Sequence, residues 1–190
     1  MQQFELALAD YGIAFFNSSA LGSFLKAHRV RKQKLLDLFS DEHALYLDSL
    51  ATGAWLPIPE INAMKYQIFC QQAPDEHWQH ITQYAPFNLS IADDAGLWAV
   101  TSGMMNRWQA ANFHADIDVI DYQTWQGETL NKAGRLQLPR GNYQVAIVAL
   151  QHQQTAQFGY WLHCTQVPEF DDYQDPREAR FAFNVAARSD

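Results

Sequence analysis

The sequence predicts an α+β protein that is mostly β: an antiparallel β-sandwich or open barrel with an N-terminal helical pair packed against it. Three observations lead there. From Ala54 onward, short apolar runs of period two are separated by Pro, Gly, Asn and Asp; between Leu21 and Leu50, apolar residues recur at helical spacing; and no helical pattern interrupts the strands. The 190 residues are 48% hydrophobic and only 18% charged, enough apolar side chain to fill a core. One domain over 1–190 is expected, with a helical part at 20–52 and a β core at 54–190.

"FELALADYGIAFFNSS" is apolar with broken alternation and favours strand over helix. "FLKAHRVRKQKLLDLF" places Leu25, His28, Leu35, Leu36 and Phe39 on one stripe and predicts a single amphipathic helix. Ser40 suits the N-cap of a second helix over "DEHALYLDSLA", which Thr52-Gly53 ends. "AWLPIPEI", with two prolines, fits only an edge strand or an extended connection. "AMKYQIFCQ" alternates as a strand, and "QQAPDEHWQHITQYAPFN" reads as a loop with a helical turn. "GLWAVTSG" is a buried-looking strand whose expected neighbour is "FHADIDVIDY". In that stretch Phe113, Ala115, Ile117 and Val119 would face one side, and His114, Asp116 and Asp118 the other. Pro139-Arg140-Gly141-Asn142 turns into a long strand, which "HQQTA" joins to "FGYWLHCTQV" as a hairpin, and "ARFAFNVA" is expected as the last strand.

A net charge of −8 disfavours non-specific binding to nucleic acid or anionic lipid. The acidity is local. Asp93, Asp94, Asp116, Asp118, Asp121 and Glu128 fall in one window; Glu169, Asp171, Asp172, Asp175 and Glu178 fall in another. Lys26, Arg29, Arg31, Lys32 and Lys34 form one basic run, which reads as a solvated helix face, with an acidic partner or phosphate as the alternative. Cys70 and Cys164 sit in apolar runs and read as buried thiols of a reducing compartment. With acids where a signal peptide needs cations, and no apolar run near ~20 residues, a cytoplasmic protein without membrane association is expected.

The polar row of residues 114–118 carries the candidate chemistry. Alternate strand residues project roughly 6.5–7 Å apart, so His114, Asp116 and Asp118 could share a metal ion only with further ligands such as Asp94, His152 or His163. As a carboxylate pair, Asp116 and Asp118 could serve a hydrolase, but any wet sheet face offers such pairs. His163 and Cys164 are adjacent, hence on opposite faces of a strand; no serine has a nucleophile-elbow setting, and there is no P-loop or G-x-G-x-x-G. No metal or cofactor is therefore expected. Trp98 and Trp161 lie in apolar strands and should be core, whereas Trp78, Trp108 and Trp125 have polar neighbours and should be exposed. Exposed Trp suits a carbohydrate-stacking sandwich or a protein hot spot.

The order "GLWAV…ADIDVIDY…LQLPRGNYQVAIVAL", over roughly residues 90–166, resembles small bacterial β-sandwich immunity proteins that neutralise secreted polymorphic toxins. The resemblance implies a cytoplasmic, non-catalytic inhibitor that occupies a toxin's active or substrate-binding face. The expectation is thus a binding protein for a cognate toxin or other basic protein, docking through His114, Asp116, Asp118 and Asp121, helped by Trp108, Trp125, Asp171 and Asp172. The alternatives are a metal-assisted or carboxylate hydrolase using His114, Asp116 and Asp118, and a carbohydrate-binding sandwich.

Overall fold

Period-two burial sorts the strands into two sheets and the apolar side chains into layers. The computed structural model describes residues 1–188. Among them, one sheet has the order β1 (Gln3–Ala7), β4 (Lys65–Cys70), β10 (Phe158–Val167), β9 (Gly141–His152), β5 (Trp78–Ile91). The second has the order β3 (Leu56–Ile58), β2 (Ile13–Phe16), β6 (Leu97–Thr101), β8 (Thr129–Leu136), β7 (Val119–Gln123). The sheets stack as an open sandwich and do not close into a barrel. Leu6, Phe15, Ile68, Leu97, Val145 and Tyr160 are among the buried residues between them. The first sheet's β1 side lies against β8, and its β5 side against β2 and β3.

The second sheet is apolar on both faces. Phe16, Trp98, Val100 and Ala133 point away from the sandwich core and need a cover. Helices α1 (Ser18–Ala27), α2 (Leu35–Asp41) and α3 (His43–Ala51) supply it with Leu21, Phe24, Leu38, Phe39, Tyr46 and Leu50. Asn17 caps α1 by accepting a 3.0 Å bond from the Ala20 amide. Cys70 and Cys164 are buried free thiols, as expected. A hydrogen bond with Cys70, together with burial, pushes the Cys164 thiol well above its ordinary range. No helix among the described residues is long and apolar enough to cross a membrane.

Five expectations are corrected. The predicted helix over 24–39 is two helices separated by an irregular 28–34, where Val30 is the only aliphatic residue and a continuous helix would have no face to bury. Ser40 lies inside α2; Glu42 occupies the N-cap of α3 without a side-chain cap bond. The stretch 71–88, read as a loop with a helical turn, instead enters the long edge strand β5 at Trp78. Two register shifts along β9 absorb its irregular pattern and accommodate Pro86. Not every pair is antiparallel, since β10 lies parallel to β4. "ARFAFNVA" is no strand: Phe183 and Val185 fill the core, but side chains satisfy the backbone, with the Tyr160 hydroxyl donating to the Phe183 carbonyl at 2.9 Å.

The helix-covered face is held by rings in contact. Phe113 meets Phe16 at 5.0 Å, Trp98 at 5.3 Å and Trp108 at 5.5 Å, and Phe39 stacks on Trp55 at 4.9 Å. Trp98→Ala is expected to lower the unfolding free energy by about 3–5 kcal/mol, read as a reduced urea midpoint, because Trp98 is fully buried. The same change at fully exposed Trp125 should shift it by no more than about 0.5 kcal/mol.

Candidate docking edge

Strand β7 is an outer strand of the second sheet, paired on one side with β8 and on no other side among the described residues. Its hairpin turn is set by Thr124, whose amide donates to the Glu128 carbonyl at 2.9 Å and whose carbonyl accepts from the Gly127 amide at 2.9 Å. Gly127, at φ 82°, supplies the left-handed residue this short connection requires. Trp125 therefore stands at the tip, with all of its ring in solvent. Tyr122 and Val119 are also exposed, at 37% and 38%, and Asp121 lies between them, exposed. Lys65 ties the base of the hairpin to the first sheet through Glu128 at 2.5 Å and Glu5 at 3.5 Å.

The expected strand over 113–122 begins only at Val119, so the alternation of 113–118 fails. Phe113 is the reason. Its ring plugs the aromatic cluster under the helices, and the chain must turn before it can join β8. Ala115 is exposed, Ile117 half-buried and Val119 exposed, while Ile120 becomes the residue packed inward. The turn still presents acids. Asp116 is almost fully exposed and lies 3.6 Å from His114 Nδ1. Asp118 is committed elsewhere: Arg135 Nη2 donates to it at 2.6 Å, and Arg135 Nε donates to the Ile117 carbonyl at 3.0 Å. Asp118 thus anchors the turn, and Asp116 and Asp121 remain free of ion pairs with cations other than His114 among the described residues.

Other expected site residues lie apart. Trp108 is only 7% exposed, its ring stacked on Phe113, so polar neighbours in sequence misrepresented its setting. Asp171 and Asp172 sit at the opposite edge of the sandwich, where the Asp172 carbonyl accepts from Asn88 Nδ2 at 3.0 Å. Nearby, Asp175 accepts from the Tyr46 hydroxyl at 2.5 Å, and the Arg177 guanidinium lies 3.2 Å from the centre of the Tyr46 ring. That second acidic segment is a strap across α3. Trp161, expected in the core, is half-buried on the outer face of the first sheet with Trp78, over Phe69, Val148 and Leu150.

The supplementary ligands that a metal at residues 114–118 would need are not assembled. His152 and His163 lie on the first sheet, and no three His, Cys, Asp or Glu side chains among the described residues form a group able to hold an ion. Asp94 lines a shallow depression with His114, Ser19 and Asp93. There the sequence reading missed a polar network. Fully buried Asn17 donates to Asp93 at 2.9 Å and to the Gly96 carbonyl at 2.8 Å, and Ser19 also donates to Asp93. The clue was "NSS" directly before a helical run. Tyr122 and Glu128 were also missed, although "TWQGE" carries the glycine of a hairpin turn.

No protein-family profile matches the chain, and no curated protein matches it. Among solved structures, the chain is similar to the crystal structure of ComJ, inhibitor of the DNA degrading activity of NucA, from Bacillus subtilis. The identity is 10%, the TM-score is 0.46, and the match covers 88% of this chain and 96% of that one.

Burial would raise the Asp93 carboxyl, but bonds from Ser19, Asn17 and the Ala95 amide, with the charge of Arg140, outweigh it and hold the group below its ordinary value. A carboxyl lowered on folding stabilises the fold above its unfolded pKa, about 4, and loses that contribution as pH falls through the lower folded value. Asp93→Asn should therefore lower the thermal midpoint at neutral pH and narrow the gap to the parent chain below about pH 4. Thermal melts at stepped pH measure this; a gap independent of pH would show that the carboxylate charge is not what the network needs.

Proposed function

We propose that this chain is a non-catalytic, protein-binding inhibitor of the immunity type, which neutralises a bacterial toxin or comparable basic protein by docking the β7 edge against it. The observation that carries this reading is Trp125, wholly exposed on a hairpin tip beside exposed Tyr122 and Val119, with Asp116 and Asp121 flanking them. A Trp in that position adds nothing to the core, yet burying it in a partner would make it the kind of aromatic anchor that dominates interfaces.

The edge supplies two further elements. Its free backbone groups can take a partner strand, and its acids would speed encounter with a basic surface and reject acidic ones. Asp118 contributes indirectly, since its bond to Arg135 fixes the turn that displays Asp116. His114, beside Asp116, belongs to the same surface. Trp108 supports it from below through Phe113, and Asp171 and Asp172, at the other edge, lie outside it.

The test uses the product of the neighbouring gene as candidate partner, titrated calorimetrically. Asp116→Lys with Asp121→Lys should leave the circular dichroism melt unchanged and slow association, weakening binding at least tenfold at low salt. Trp125→Ala should weaken it by about 2 kcal/mol or more, mainly through faster dissociation. Binding that survives both changes would remove the edge from the interface.

A further inference from the structure

The nine residues 26–34 hold five cations in a chain with 21 acids and 13 Lys and Arg, and the fold places them, all exposed, on the last turn of α1 and the loop that follows it. The loop has a fixed path. The Arg29 amide donates to the Lys26 carbonyl at 3.0 Å, the Val30 amide to the Leu25 carbonyl at 2.9 Å, and the Trp108 amide to the Gln33 carbonyl at 3.0 Å. Arg29 occupies the left-handed position after the α1 terminus, at φ 56°, where glycine is the usual residue. A long cation stands there instead.

Between this loop and residues 108–110 runs an open groove of about 550 Å³. Lys26, Arg29, Arg31 and Lys32 line it, and no acid does. Lys26, Arg29 and Arg31 have no ion pair among the described residues, and Lys32 reaches only Asp41, at 4.0 Å. Arg29, Arg31 and Lys32 also border the depression on the other side of the loop, which Glu42 and Asp48 line. Of the cations elsewhere, Lys65 pairs with Glu128, Arg135 with Asp118 and Arg180 with Glu178, whereas Arg107, Lys132 and Arg140, like Lys26, Arg29 and Arg31 of the groove, have no ion pair among the described residues. The uncharged part of the lining is apolar or amide, with Val30, Ala110, Gln33 and Gln109.

We propose that this groove is a second docking site, of opposite sign to the β7 edge, that takes an acidic protein segment carrying apolar side chains. Its carboxylates pair with Arg29 and Arg31, and its apolar groups lie on half-buried Val30 and exposed Ala110. This lining favours peptide over nucleic acid. The one aromatic ring lining the groove, Trp108, is 7% exposed and stacked on Phe113, so no ring face is open to a base, and the net charge of −8 repels a long polyanion. The site stands on its own geometry and does not depend on the β7 edge.

The experiment titrates the full chain into a fluorescein-labelled peptide of about a dozen residues, Glu and Asp around Leu and Phe, and into an oligothymidylate of equal charge, following anisotropy. The peptide should bind saturably, more weakly as salt rises from about 0.05 to 0.5 M, and at least tenfold more weakly to Arg29→Glu with Arg31→Glu. Lys34→Glu makes the same kind of charge change on this loop outside the groove and should alter binding by less than about threefold. Arg29→Gly should keep or raise the thermal midpoint while weakening peptide binding, since glycine fits φ 56° but carries no charge. Absence of peptide binding, equal loss in Lys34→Glu, or tighter binding of the oligonucleotide would overturn the proposal.

Discussion

The architecture depends on one constraint: the second sheet is apolar on both faces, and the face carrying Phe16, Trp98 and Val100 has to be covered. One side is satisfied by the opposing sheet, the other by everything between β2 and β3 and between β6 and β7. Helices too short to be stable alone are held there by Phe24, Phe39 and Tyr46. The outer face of the first sheet has no such layer among the described residues, and Trp78 and Trp161 lie across its small apolar cluster instead. Trp78 can do so because Gly159 leaves room beneath it; a Cβ there would come within 3.1 Å of the indole and 2.6 Å of the Gln67 carbonyl.

The same constraint shapes both charged surfaces. Phe113 is drawn into the aromatic cluster, so the chain leaves it in a turn and reaches β8 late, exposing Asp116 on the way. Trp108 is drawn into the same cluster, and its backbone bond to Gln33 pins the basic loop beside it. A cluster with no polar role of its own thus sets where an acidic turn and a basic groove emerge.

Of the strands with two partners, β4, β6, β9 and β10 were legible in the sequence, β9 through its long apolar run "YQVAIVAL", whereas β8, polar at Asn131 and Lys132 and broken by Gly134, was not. Among the outer strands, β3 was anticipated in "AWLPIPEI", but β5 and the true start of β7 were not. β5 pairs on one side only, so its alternation is free to slip at two points, and β7 is short with its inward residue shifted to Ile120. The basic run misled for a different reason: charged residues fit a helix pattern wherever a few apolar neighbours bracket them, and nothing local reports that 28–34 has no surface to pack on. Of the candidate docking residues, the exposure of Asp116, Asp121 and Trp125 could be read from composition. The pairing of Asp118 with Arg135, 17 positions away, and the burial of Trp108 by Phe113 are tertiary facts with no local signal.

The parallel contact of β4 with β10 has a consequence for how the chain is made. Strands β1 and β4 are available to pair early in synthesis, but the seat between β4 and β9 cannot be filled until residues 158–167 have emerged. The second sheet, by contrast, is complete once β8 ends at Leu136. On a ribosome adding residues from the N-terminus, the helix-backed sheet can form first and hold the half-built sheet against it. For that interval β4 offers an unpaired edge rich in apolar side chains, open to another nascent chain. Strand β10 therefore closes a vulnerability that β4 opens, and truncation before β10 should favour aggregation over a smaller fold.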